Sequence, residues 1–116
     1  MPDRYTTLRG KLPPSYVTFI ESHNGWEGDL GDEIGYFVIW NRDSIQENWD
    51  GYEMAQYLSD RWFPFGSNGG GEILCFDLES GSDRFFWIPL IGMSGEEAML
   101  QDYSFVDVAR AVRNVS

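Results

Sequence analysis

Apolar residues recur at helical spacing in LPPSYVTFIESHNG, where Leu12, Tyr16, Phe19, Ile20 and His23 fall on one face. Pro14 suits a first helical position, and Asn24-Gly25 supplies a left-handed stop. GWEGDLGDEIG follows, with four glycines among acids, and predicts a loop or a loose hairpin. Gly35 to Trp40 reads as a strand, and its β-branched and aromatic run YFVIW predicts that both faces are at least partly covered. Asp43 is placed to cap a second helix with Gln46 as its capping-box partner. The apolar stripe of that helix is Ile45, Trp49 and Tyr52, and Gly51 breaks or bends it. YEMAQYLSD fits a short helical piece and a strand equally well.

From Trp62 the period changes to two. RWFPFGS, EILCFDL and RFFWIPLI are separated by the turn sequences SNGGG and ESGSD, which predicts an antiparallel meander of three or four strands. Pro64 and Pro89 have no amide hydrogen for a ladder, so they belong at strand ends or on edges. The last element is a helix: Ser104 caps it, Asp107 sits at its third position, and Tyr103 is placed to staple onto Val108. Its buried stripe is Phe105, Val108, Ala109 and Val112. Helices at the amino end, middle and carboxyl end around a mostly antiparallel sheet make an α+β fold. At 116 residues and 42% hydrophobic content, one domain over residues 1–116 has enough apolar material for a core, and two would not.

The candidate chemistry is sparse. GSNGGGE lacks the Lys and Ser/Thr of a nucleotide-binding loop and precedes a strand rather than a helix, so it reads as a tight hairpin. EGDLGDE does not have the spacing of a twelve-residue calcium loop. With one histidine and one cysteine, His23 and Cys75, neither a histidine-rich zinc site nor an internal disulfide is available. Cys75 lies in the apolar run ILCF, where a thiol is buried and inert. A Cys75 and His23 nucleophile pair is the one catalytic constellation left open. The residues therefore point to no enzyme, no cofactor and no metal. The amino-terminal segment carries no apolar run of the signal-peptide kind, and no stretch approaches the roughly 20 apolar residues that span a bilayer. The expectation is a cytoplasmic protein.

Charge is the skewed quantity. Nineteen Asp and Glu against eight Lys and Arg give a net charge of -11, which disfavours nucleic acid and anionic membranes as partners. Residues 21 to 60 carry -9 of it, from ten acids against Arg42 alone. Trp26, Tyr36, Trp40, Trp49, Tyr52 and Tyr57 are interleaved with those acids, a composition found in protein-binding hot spots. The candidate partner-binding residues are Trp26, Glu27, Asp29, Asp32, Glu33, Trp49, Asp50, Tyr52 and Glu53. The competing expectation is that the aromatics are core and the acids only solubilise, since Trp40 and Trp49 also fit burial stripes.

LPPSYVTFIESHNG, PFGSNGGGEILCFDL and YSFVDVARAV, in this order and spacing, resemble a SUKH-superfamily domain. That group includes the Smi/Knr cell-wall regulators and many bacterial immunity proteins. The matched positions are structural: Leu12, Pro13 and Gly25, then Gly66, Gly70 and Gly71, then Ser104 and Phe105. The resemblance implies an α+β fold and a non-catalytic binding module of immunity or antitoxin type, which neutralises a toxin, in many cases a nuclease. An acidic surface would suit a toxin with a basic one. GWEGDLGDE is a region expected to vary with the partner. The alternative implied by the eukaryotic relatives is an intracellular scaffold or regulatory domain that binds a host protein or peptide.

Overall fold

The computed structural model describes residues 3–115. Four α-helices and six strands run in the order α1 (Arg4–Leu8), α2 (Pro14–His23), β1 (Trp26–Asp29), β2 (Tyr36–Ile39), α3 (Arg42–Gly51), β3 (Trp62–Ser67), β4 (Glu72–Asp77), β5 (Arg84–Pro89), β6 (Met99–Ser104) and α4 (Phe105–Val115). Each strand pairs antiparallel with its sequence neighbour, so the sheet order is β1-β2-β3-β4-β5-β6. The fold is α+β. The meander extends beyond the three central strands to a hairpin at one edge and to β6 at the other.

β4 explains the layering. Its alternate residues Leu74 and Phe76 join one core with Tyr16, Phe19, Ile20, Phe105, Val108 and Val112 from α2 and α4. Ile73 and Cys75 point the other way, into a smaller core with Trp49, Met54, Leu58, Trp62, Ile88 and Met93. Both faces of β4 are covered, so its sequence is a continuous apolar run rather than an alternation. The larger core is aromatic. Phe65 stacks on Phe76 with ring centroids 4.3 Å apart, and Tyr16 and Phe105 meet both rings edge-on or tilted at 5.1 to 6.0 Å. The Tyr16 hydroxyl is buried without a partner, and burial pushes its pKa up.

Local signals account for most helix ends. Asn24 takes the left-handed conformation after α2, with φ 47°. The Ser104 and Asp107 capping box forms at α4: the Ser104 amide donates to the Asp107 carboxylate at 3.0 Å, and the Asp107 amide donates back to Ser104 Oγ. The cap of α3 lies two residues earlier than expected, at Asn41 instead of Asp43, where the Asn41 side chain accepts the Ser44 amide at 2.8 Å. Gln46 is thereby freed to accept the Arg4 backbone amide at 2.8 Å. α1 was not apparent in the pattern of apolar residues, being five residues long and held by the Asp3 cap and by α3. YEMAQYLSD contains a 3-10 turn, Met54–Gln56, whose Met54 is buried.

Pro64 lies inside β3 rather than at its end. β2 pairs only with Gly66 and Ser67, so β3 has a strand on one side alone at Pro64 and is locally an edge there. The pairing of β2 with β3 depends on Gly66. A Cβ at this position would stand 2.0 Å from the Val38 carbonyl oxygen, a backbone atom that cannot swing aside. Beyond β4, the Arg61 guanidinium donates twice to Asp77, at 2.9 Å each, and Asp77 also accepts the Glu79 amide at 3.0 Å to close the following turn. The guanidinium and that amide together hold the Asp77 carboxyl below the ordinary carboxylate range.

Two outcomes follow for stability. Gly66→Ala destabilises the fold by about 2 kcal/mol or more in urea denaturation, whereas Gly10→Ala, with open space around it, changes stability by less than about 0.5 kcal/mol. Asp77→Asn costs about 2 kcal/mol at neutral pH through the lost charged hydrogen bonds. Because the folded-state pKa is depressed, that contribution is present above the unfolded value of about 3.9 and disappears as pH falls through the folded value. The difference between Asp77→Asn and the parent therefore shrinks below pH 4 in acid titrations monitored by circular dichroism.

Candidate functional site

The two faces of the sheet are not equally covered at the β1-β2 end. Phe37 and Ile39 are buried in the larger core, while Val38 and Trp40 on the opposite face are half-buried and Tyr36 is exposed. The strand register places Glu27 beside Val38 and Asp29 beside Tyr36, so these two acids share the less covered face. The Tyr36 hydroxyl donates to the Glu27 carboxylate. The ring of Tyr36 lies against Gly69, where a Cβ would come within 2.9 Å of it and where φ is +75°. Glycine at this turn thus brings the β3-β4 hairpin up to β2.

A groove of about 250 Å³ opens beside that contact, between the end of α3 and the glycine-rich turn. Trp40, Asn48, Tyr52, Gly69, Glu72 and Leu90 are among its walls. Glu72 is half-buried, and its carboxylate accepts the Asn68 side-chain amide at 2.9 Å. Tyr52 is 51% exposed at the rim. Asp50 and Glu53 are exposed beside it, Glu53 in the left-handed conformation that turns the chain out of α3.

None of the eight cations lines this groove. Arg4 is almost enclosed: its guanidinium lies 3.5 Å over the Trp49 ring and donates to the Trp62 carbonyl at 3.1 Å, and burial lowers its pKa. Arg9 holds Glu21, which also accepts from the Tyr5 hydroxyl; the Arg9 guanidinium, and then that hydroxyl, draw the Glu21 carboxyl down to about 2. Arg61 is on Asp77 and Arg110 on Asp107. Arg84 donates to the Gln101 carbonyl, and Arg42 lies near the Tyr5 ring. Arg113 lines a different concavity of about 400 Å³ between α2 and α4, together with His23.

The expected binding residues separate accordingly. Glu27, Asp29, Asp32 and Glu33 are exposed on the β1-β2 hairpin, and Asp50, Tyr52 and Glu53 are exposed where α3 ends. Trp49 is a correction. It is 8% exposed beneath Arg4, so it is a core residue and offers no surface to a partner. Trp26 faces the larger core, half-buried, with its ring over Gly28 and on the opposite face from Glu27. Tyr36 and Trp40, two of the interleaved aromatics outside the candidate set, lie on the less covered face, Tyr36 exposed and Trp40 half-buried. Glu72 carries no local signal, because it comes to the groove only through the strand pairing that sets it beside Pro89 and Leu90, and Asn68 meets its carboxylate across the turn.

The Cys75 and His23 pair left open by the sequence does not form. Cys75 faces the smaller core, while His23 is exposed on α2, over the other face of the sheet, with its ring 4.7 Å from that of Phe19. The Cys75 thiol is fully buried, which pushes its pKa well up. Among the described residues no group of three His, Cys, Asp or Glu is arranged to hold a metal ion, and no helix is long and apolar enough to cross a membrane. Cys75 should react with a thiol reagent only on unfolding. In native buffer its labelling rate follows the global unfolding rate and rises with urea, and fast labelling of the folded protein would contradict the assignment.

The family model described as SMI1 / KNR4 family (SUKH-1) matches residues 6–105. No curated protein matches the chain. The matched stretch runs from α1 to the start of α4 and includes the hairpin, the groove and the glycine-rich turn.

Proposed function

Since the chain belongs to the SMI1/KNR4 family (SUKH-1), whose members are commonly immunity-protein-like, we propose that it is a cytoplasmic, non-enzymatic immunity or antitoxin protein that binds a toxin with a basic surface. The observation that carries this reading is that Glu27, Asp29 and Tyr36 share one exposed face of the β1-β2 hairpin, with Asp32 and Glu33 exposed at the hairpin turn and Asp50, Tyr52 and Glu53 exposed where α3 ends. A nuclease or other toxin that handles a polyanion presents positive potential, and an acidic protein competes for that face and meets it rapidly. The exposed tyrosines supply apolar contact area inside the charged rim, which acids alone do not. The β1-β2 hairpin is an edge of the sheet, and its carboxylates discourage strand addition by other chains while they attract a cationic surface.

The test is the association rate with the toxin that co-purifies with this protein from its native cell. Combined Glu27→Lys, Asp29→Lys, Asp32→Lys and Glu33→Lys lowers that rate by about tenfold or more at low salt and flattens its dependence on ionic strength. Unchanged kinetics in the quadruple variant would refute binding through this surface.

A further inference from the structure

The groove between α3 and the glycine-rich turn combines three properties that select one kind of occupant. Its volume of about 250 Å³ is below the roughly 300 Å³ at which small-molecule pockets begin, and it is open to solvent at Tyr52, so it suits a single side chain entering from outside. Its walls are mixed along their length. Ile73 and Leu90 are apolar, Trp40 and Tyr52 are aromatic, and Glu72 supplies a carboxylate. Glu72 is half-buried and, among the described residues, pairs with no cation; its one hydrogen-bond donor through the side chain is the neutral Asn68 amide. A partly desolvated carboxylate next to aromatic rings repels an acidic ligand and attracts a cation, whose aliphatic stem would cover the apolar wall.

We propose that this groove is the receptor for one lysine or arginine side chain of the partner protein. The proposal rests on the partner-binding reading and adds where that partner is anchored. The hairpin acids give long-range attraction, and the groove gives a fixed contact. An arginine would place its planar head between Glu72 and the aromatic rings, and a lysine would place a point charge there.

Three blocked tripeptides serve as probes: acetyl-Gly-Arg-Gly-amide, its lysine counterpart and its citrulline counterpart, which keeps the shape of arginine without the charge. They are titrated into the full chain and followed by isotope-edited NMR. The arginine and lysine peptides should shift the Trp40, Tyr52, Gly69 and Gly71 resonances saturably, with the ratio of their affinities identifying the preferred cation, and the citrulline peptide should not. Glu72→Gln should weaken binding about tenfold while the core resonances stay in place. Tyr52→Ala, which removes an exposed ring, should weaken it as well. Equal binding of the citrulline peptide, shifts confined to the Asp32 and Glu33 turn, or full binding to Glu72→Gln would overturn the proposal. Any of these would leave the hairpin reading intact, because that reading is judged on the toxin itself. A hairpin variant that binds its toxin unchanged would in turn leave the peptide titration standing.

Discussion

The stacked pair of Phe65 and Phe76 is the contact on which the larger layer of the protein rests. The two rings come from neighbouring strands and lie at 13° to one another. α2 and α4 both reach them through an aromatic ring, Tyr16 from α2 and Phe105 from α4. Phe65 is also the extra residue at the irregularity in β3, between Pro64 and Gly66. Phe65 shares the core face with Phe63 by ordinary alternation, and the bulge then sets Gly66 opposite Leu74, on that same face. The same irregularity sets Gly66 against the Val38 carbonyl, so the pairing of β3 with β2 depends on this local distortion.

That arrangement leaves the other face of the sheet unevenly covered. α2 and α4 both lie on the first face, and the second face has only the end of α3, the Met54–Gln56 turn and the segment around Met93 to cover it. The cover stops short of β1 and β2. The groove and the exposed tyrosines are consequences of this shortage rather than of any special local sequence. Aromatic residues are present there, but among the described residues no element lies above them.

The distribution of cations sharpens the contrast. Arg4 is spent inside, over Trp49, and Arg61 is spent on the turn after β4. Arg9, Arg84 and Arg110 are likewise tied to neighbours, and Arg113 lies in the cleft between α2 and α4. The acidic face is therefore uncompensated by local ion pairs, which is why a net charge of -11 has a direction in space and is not only a bulk property. The family positions are structural in the same sense. Leu12 and Phe105 are buried, Gly66 permits a backbone contact that no side chain would allow, and Gly25 takes a positive φ where β1 begins.

What the sequence determined by itself was whatever depends on neighbours along the chain. The α2 stop at Asn24-Gly25, the Ser104 and Asp107 box, the three central strands and the inert setting of Cys75 are all written in short windows, because caps, turns and alternation act over a few residues. The α+β fold and the family resemblance follow from their order. Tertiary structure decided what depends on contacts across the chain. α1 exists because α3 receives it, Asn41 displaced Asp43 as the cap, and Pro64 is tolerated because β2 stops short of it. It also separated residues that charge patterning had grouped together: Trp49 went under Arg4 and Trp26 into the larger core, while Glu72, far along the chain, came to stand beside Tyr52. Local propensity says which face of an element is apolar, but only packing says whether anything lies over that face.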